Sequence, residues 1–279
     1  MSNSKTWFIT GASQGLGLTL VKKLLENGYC VSATSRDAVK LAEAVGVDDA
    51  KHFLPLAVDL GNADAIDQSV RLTIDTFGKI DVVVNNAGYG MIGIAEQIPG
   101  QEIRKIFDVN VIAQILVTKS VLPFMRKQRS GYIINMGSVA GFVGAPGWSV
   151  YSATKAAIAA FSEVLALDVR EFGIHVTVAE PSGLRTGFLT EHSLANNDIM
   201  IEGYEAVKKT QQQYLATNGK QPGDPGKAAE ILMELAEKQQ PPMHLYLGED
   251  AYKRASAKLA SMTTELEEWK SITISADFR

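Results

Sequence analysis

One alternation constrains this chain more than any other feature. Seven short runs are apolar on successive residues, and longer stretches with helical or mixed character separate them. The runs are "TWFIT" (6–10), "YCVSAT" (29–34), "HFLPLAV" (52–58), "IDVVVN" (80–85), "GYIINM" (131–136), "IHVTVA" (174–179) and a late "HLYLG" (244–248). A strand with one wet face alternates apolar and polar residues; a strand covered on both faces does not need to. Between the first two runs, "GLTLVKKLLEN" sets Leu18, Val21, Leu24 and Leu25 on one stripe and stops at Asn27-Gly28. "NADAIDQSVRLTIDTFG" opens on an asparagine cap and ends at Gly78. Strands that alternate with helices imply a parallel sheet with right-handed crossovers. The expected fold is α/β: a doubly wound, parallel, seven-stranded sheet with helices on both faces. No repeat or linker divides the 279 residues, so one domain over 1–279 is expected.

After residue 190 the texture changes. Residues 190–222 are polar and irregular, and they are expected to be either a solvated excursion or a lid over a substrate. A helix at 226–239 and a charged, solvated helix at 249–270 should follow. The net charge of −4 argues against nucleic acid or an anionic membrane surface as the main partner. No apolar run approaches the roughly 20 residues of a membrane span. The start, "MSNSKTWFIT", lacks a basic region followed by an apolar one, and a cytoplasmic location is expected. Cys30 is the one cysteine, which excludes an internal disulfide; its apolar setting suggests buried packing. His52, His175, His192 and His244 show no ligand spacing, so no metal is expected.

"TGASQGLG" (10–17) joins the first strand to the first helix. Gly11 suits a tight turn, Gly15 lets backbone approach a ligand, and Gly17 permits close helix–strand packing. Free N–H groups at a helix start favour an anion such as a pyrophosphate. About 20 residues on, at the second strand's end, a dinucleotide site reads the ribose. The sequence there is "SATSRD". Ser35 takes that position with Arg36 beside it, and a guanidinium suits a 2′-phosphate, hence NADP(H) over NAD(H). A shift of one residue would instead make Asp37 a ribose acid. "VDL" ends the third strand, where Asp59 suits an adenine amino group or a helix cap. "NNAGYG" ends the fourth, and its geometry lets the chain lie against a flat ligand.

Ser138 follows the fifth strand, and a long helix over 148–173 carries Tyr151 and Lys155 one turn apart on one face. A free tyrosine has a pKa near 10, and an adjacent ammonium favours the phenolate. The pair suits proton exchange with an alcohol oxygen, and Ser138 can hold that oxygen by a hydrogen bond.

Together "TGASQGLG", "NNAG", Asn110 in "FDVNV", Ser138 and "YSATK", in this order over residues 5–190, resemble the short-chain dehydrogenase/reductase family. The resemblance implies a Rossmann-like single domain with a C-terminal substrate loop and helix extension. It implies an NADP(H)-dependent oxidoreductase that interconverts a ketone or aldehyde and an alcohol. Tyr151 would be the acid/base, Lys155 its modulator and a ligand of the nicotinamide ribose, Ser138 the carbonyl's partner, and Asn110 the support of a water path to Lys155. Cofactor contacts would come from Gly11, Ser13, Gln14, Gly15, Leu16, Gly17, Ser35, Arg36, Asp59, Leu60, Asn86, Ala87, Gly88, Tyr151, Lys155, Pro181, Gly183 and Thr186. The family's usual Pro-Gly after the sixth strand is here Pro181-Ser182-Gly183, with Thr186 in its usual relation to Pro181. The C-terminal stretch is similar to single-domain reductases grouped with 17-beta-hydroxysteroid and retinol dehydrogenases. Tyr89, Met91, Ile92, Phe142, Val143, Trp148, Phe188 and Leu189 suggest a pocket for a small hydrophobic carbonyl or alcohol. Many members form dimers or tetramers through their long helices. Two further readings stay open: a catalytically silent nucleotide-sensing or scaffold protein of the same fold, and an epimerase or dehydratase.

Overall fold

The computed structural model describes residues 4–196 and 200–278. Its strands are β1 (Thr6–Ile9), β2 (Cys30–Ser35), β3 (Phe53–Ala57), β4 (Val82–Asn85), β5 (Gly90–Ile92), β6 (Gly131–Met136), β7 (Ile174–Pro181), β8 (Leu194–Asn196) and β9 (His244–Leu247). Seven of them form one parallel sheet in the order β3-β2-β1-β4-β6-β7-β9. The seven runs expected from the sequence are these seven strands, with ends that differ by up to two residues.

The consecutive apolar residues are explained by the two layers. Trp7 and Ile9 face one side and Phe8 the other; Val82 and Val84 are split from Val83 in the same way, as are Tyr132 and Ile134 from Ile133. The first layer is built by helices α1 (Gly15–Glu26), α2 (Ala38–Val45) and α8 (Pro225–Leu235), through Leu20, Leu24, Leu41 and Leu232. The second is built by α3 (Ala63–Phe77), α5 (Ala113–Gln128) and α6 (Ser149–Val169), through Ile66, Val70, Val117, Val121 and Leu165. Each large side chain buried this way contributes about 1.5–3 kcal/mol. Pro55 sits inside β3, where the sheet ends and a missing N–H is tolerated.

The helix caps fall where the sequence puts them. Asn62 accepts from the N–H groups of Asp64 and Ala65 to open α3, and Gly78 closes it in the left-handed conformation (φ +81°). On α1 the buried stripe is Leu16, Leu20, Val21 and Leu24, while Leu18 and Leu25 are only partly covered. Cys30 is buried. One helical run, Gly100–Gln128, is interrupted by a π turn at Asp108–Ile112 that separates α4 (Gly100–Phe107) from α5.

Two expectations need correction. Residues 190–222 are not irregular throughout: β8 pairs in parallel with β5, and α7 (Glu205–Ala216) follows. Asn197 to Ile199, within that stretch, lie outside the described residues. Two helices, Gly100–Gln128 and Ser149–Phe172, are also long and apolar enough to cross a membrane by length and composition. Both lay residues against the sheet; the hydropathy of the first comes from Ile, Val and Leu side chains such as Val117 and Val121, and that of the second largely from alanines, which allow close helix packing.

A buried polar chain ties the layers under the strand ends. Asn85 donates to Asn135 Oδ1 (2.8 Å) and to Thr118 Oγ1 (3.2 Å); Asn135 donates to Ser162 Oγ (2.7 Å). These groups belong to β4, β6, α5 and α6, and both asparagines are fully buried. Removing one partner strands the others away from water. Asn135→Ala is therefore expected to cost about 1–3 kcal/mol in urea unfolding. Val39→Ala on the exposed face of α2 should change stability by less than about 0.5 kcal/mol.

Candidate active site

All strands of the sheet point the same way, so their C-terminal ends share one edge. The chain runs outward in both directions from β1 and β4, and a crevice opens at such a reversal. Here it is a cleft of ≈ 960 Å³. Gly11, Ser13, Gln14, Gly15, Leu16, Ser35, Arg36, Asp59, Leu60, Asn86, Ala87, Gly88, Ser138, Tyr151, Lys155, Pro181, Gly183 and Thr186 line it. Of the residues singled out from the sequence as site residues, Gly17 and Asn110 stand behind its wall.

The glycine turn is shaped by close contacts. A Cβ on Gly11 would lie 2.7 Å from Ala87 Cα, and one on Gly17 would lie 2.5 Å from Asn86 Nδ2. Asn86 Nδ2 donates to the carbonyls of Thr10 and Gly11 (2.9 Å each), while Thr10 Oγ1 accepts from the N–H groups of Asn86 and Ala87. The Asn86 side chain is thus committed to the turn, and its residue meets the cleft as backbone. No side chain caps α1 and no acid lies in its first turn. Its free N–H groups therefore face the cleft with partial positive charge, an arrangement that fits a pyrophosphate. Gln14 Nε2 reaches across to Ser193 Oγ (2.8 Å), which joins this turn to the segment after β7.

At the end of β2 the Asp37 carboxylate is engaged by the backbone that follows it. Asp37 Oδ1 accepts from the N–H groups of Val39 and Lys40 (3.0 and 3.1 Å), which makes Asp37 the cap of α2. Those bonds and the Lys40 charge hold its carboxyl below the usual carboxylate range. Ser35 Oγ donates to the Asp37 carbonyl (2.6 Å), and exposed Arg36 lines the cleft. Asp59 accepts from the N–H of Gly61 (2.9 Å); Asn62, not Asp59, caps the helix that follows.

The other end of the cleft carries the titratable groups. Ser138 follows β6 and its Oγ accepts from the Ala140 N–H (3.1 Å) in a 3-10 turn, Val139–Gly141. That turn rests on α6 so closely that a Cβ on Gly141 would lie 2.8 Å from the Lys155 carbonyl carbon. Tyr151 is 6% exposed and Lys155 5%. Ser138 and the Tyr151 hydroxyl face each other in the cleft, and the Ser138 side chain favours the ionised form of the phenol. Lys155 Nζ donates to the Met136 carbonyl (2.7 Å) and lies 5.7 Å from the Tyr151 ring centre.

The electrostatics differ from the sequence expectation in one respect. Burial pushes the Tyr151 phenol up to about 12, and the Ser138 side chain only partly opposes this. Burial also brings the Lys155 ammonium down to about 8. The ammonium is aimed at a carbonyl and at the ring rather than at the phenol oxygen, so desolvation outweighs attraction. In this cleft the Tyr151 phenol therefore carries its proton at neutral pH. Lys155 is a buried cation with one protein carbonyl as partner and donors left to offer.

Asn110 lies in the π turn and is fully buried. Its Oδ1 accepts from the Tyr89 N–H (3.0 Å), and its Nδ2 donates to the Tyr89 carbonyl (2.9 Å) and to Thr154 Oγ1 (3.2 Å). Its own carbonyl accepts from Gln114 Nε2 (3.0 Å). Asn110 therefore clips the strand-end loop to α6; a Cβ on Gly88 would lie 3.1 Å from its Oδ1.

The apolar residues around the site divide. Tyr89, Trp148, Phe188 and Leu189 line the cleft. Met91 and Ile92 form β5 and are buried beneath it, Phe142 packs on Tyr246, and the Val143 carbonyl accepts from Arg254. The sequence reading missed Gln213, Tyr214, Thr217 and Gln221, which complete the wall from α7 and the segment after it. Tyr214 packs on Trp148 at 5.0 Å between ring centres, and Trp148 packs on Tyr151 at 5.3 Å. The pattern Val207, Tyr214 on an otherwise polar helix was the available signal.

Comparison with known proteins agrees with this geometry. The short chain dehydrogenase family profile matches residues 5–197. Oxidoreductase BOA17 of Botryotinia fuckeliana is 34% identical over 274 residues, which is 98% of this chain and 99% of that one. A short-chain dehydrogenase of Streptomyces avermitilis has the same fold with a TM-score of 0.90 at 32% identity, over 98% of this chain and 100% of that one. A 3-ketoacyl-(acyl-carrier-protein) reductase of Brucella melitensis, solved with NADH, shares the fold at a TM-score of 0.72 and 23% identity, over 87% and 96%. By its sequence over nearly its whole length and by its fold, the chain belongs to the short-chain dehydrogenase family of oxidoreductases.

Proposed function

We propose that this protein interconverts a ketone or aldehyde and its alcohol by hydride transfer with NADP(H), and that Tyr151 is the acid/base. One observation carries the reading. Tyr151 and Ser138, with the Lys155 ammonium buried 5.7 Å from the Tyr151 ring centre, share a cleft with an uncapped, glycine-lined helix start. A protein of the same fold, solved with NADH, is named a 3-ketoacyl reductase.

The cofactor's residues follow from the cleft. The turn from Gly11 to Leu16 would hold the pyrophosphate, Ser35 and Arg36 the 2′-phosphate, and Asp59 and Leu60 the adenine. Asn86, Ala87 and Gly88 would support the cofactor, Lys155 would take the nicotinamide ribose, and Pro181, Gly183 and Thr186 would serve the nicotinamide end. When bound, it supplies or accepts hydride. In reduction, Tyr151 gives its proton to the carbonyl oxygen while Ser138 donates a hydrogen bond to the same atom. In oxidation Tyr151 takes the alcohol proton, and the Lys155 charge stabilises the phenolate. Trp148, Phe188, Leu189 and Tyr214 give the substrate an apolar wall. The preference for NADP(H) is supported by Asp37, whose carboxylate is engaged as a helix cap, and by Arg36, which lines the cleft.

Tyr151→Phe is expected to lower kcat about 10²–10⁴-fold while NADPH fluorescence titration shows retained binding. Retained turnover would overturn the mechanism. Arg36→Ala should raise the NADPH KM about 10–100-fold and leave the NADH KM nearly unchanged. A pH dependence follows from Lys155, which burial lowers to about 8. It is charged below that value and neutral above it, so NADPH affinity should fall as pH rises through about 8. Lys155→Met should bind weakly with no such inflection; an inflection that persists in that variant would exclude Lys155 as its source.

A further inference from the structure

The helix α9 (Glu249–Glu268) leaves the body of the protein soon after it starts. Ala251 and Ala255 are buried, and Arg254 donates to the Val143 carbonyl (2.9 Å). From Ser256 to Phe278 every residue is exposed. Yet the arm is not polar all round. Leu259, Met262, Leu266 and Trp269 are 54%, 45%, 63% and 57% exposed. Their spacing is three, four and three residues, and exposed Tyr252 continues the same pattern at the root, where Ala255 is taken up by the body of the protein. That is the heptad seam of two helices packed side by side, a strip that a solitary solvated helix has no use for.

The charges flanking the seam name the occupant. Within the arm Lys253 is paired with Glu249, Arg254 with Asp250 and Lys270 with Glu267. Lys258 and Glu265 border the seam and are in none of these pairs. A parallel pair would set Lys258 beside Thr263 of the second copy. An antiparallel pair sets Lys258 of each arm against Glu265 of the other and opposes the helix dipoles. Register follows from the same rule. With Leu259 opposite Met262 of the second copy, the flanking Lys258 meets Glu265 of that copy, twice by symmetry, and Tyr252 meets Trp269. The alternative that centres the seam between Met262 and Leu266 brings the two Glu265 side chains together, which is repulsive.

We propose that the C-terminal arm pairs two copies of this chain through an antiparallel, two-fold coiled coil along Leu259, Met262, Leu266 and Trp269. The pairing is independent of the reaction assigned to the cleft, and it uses a surface separate from α5 and α6. Such isologous contacts are the commonest way soluble chains assemble.

Sedimentation of the full chain tests this, with circular dichroism to verify that each variant keeps its fold. The double variant Leu259→Asp/Leu266→Asp should halve the assembly mass. Lys258→Glu and Glu265→Lys should each weaken association by about tenfold or more, since each turns two attractive pairs repulsive. The double variant Lys258→Glu/Glu265→Lys should restore it, because the swapped charges still meet. A monomeric wild-type chain, or a mass unchanged by Leu259→Asp/Leu266→Asp, would overturn the proposal. Failure of the double charge swap to restore association would overturn the antiparallel register.

Discussion

A parallel sheet covered on both faces has to send every strand end to one edge, and the rest of this molecule follows from that constraint. Burial on both faces forces apolar residues at successive positions, such as Trp7, Phe8 and Ile9. It forces each connection to cross the sheet as a helix. It also gathers the loops after β1, β2, β4, β6 and β7 around a single cleft. The polar chain Asn85–Asn135–Ser162 fixes two of those strand ends against their helices, and Asn110 clips the loop after β4 to α6. Side chains from distant parts of the sequence then meet without any one loop having to hold them alone.

The same packing sets the chemistry. Desolvation works on Tyr151 and Lys155 in opposite directions: the phenol is harder to ionise and the ammonium easier to discharge. This favours a proton on the tyrosine, the state that the proposed reduction would need. The ammonium is left with one carbonyl partner in a dry site, and ribose hydroxyls would give it others. In the proposed reaction, cofactor binding and acid/base readiness would be one event, because the group that would hold the ribose would also steady the phenolate.

Much of this was legible in the sequence because it is written in local patterns. Strand runs, glycine spacing and caps such as Asn62 depend on near neighbours, and they landed within two residues. The Tyr151–Lys155 pairing was legible for the same reason, since one helical turn puts them on one face. What failed was the sign of the Tyr151 shift: adjacency suggests attraction, but burial is a property of the whole fold. That Asp37 caps α2 also needed three dimensions, since a cap and a ribose ligand share a sequence position. Residues 190–222 were misjudged because Leu194 and Tyr214 find their partners, Gly90 and Trp148, far away in the chain. The charged helix expected over 249–270 is there, and its residues from 256 onward are exposed as its charges suggest.

The central claim is that the cleft first holds the proton on Tyr151 and then, with oxidised cofactor bound, lets it go. Ultraviolet titration of the tyrosinate, taken as the difference between the wild type and Tyr151→Phe, measures that directly. The account expects the Tyr151 phenol to titrate near 12 in the free protein and at a distinctly lower pH with NADP+ bound. A phenol that titrates at the ordinary tyrosine value in both states, or that does not move when the cofactor binds, would contradict it.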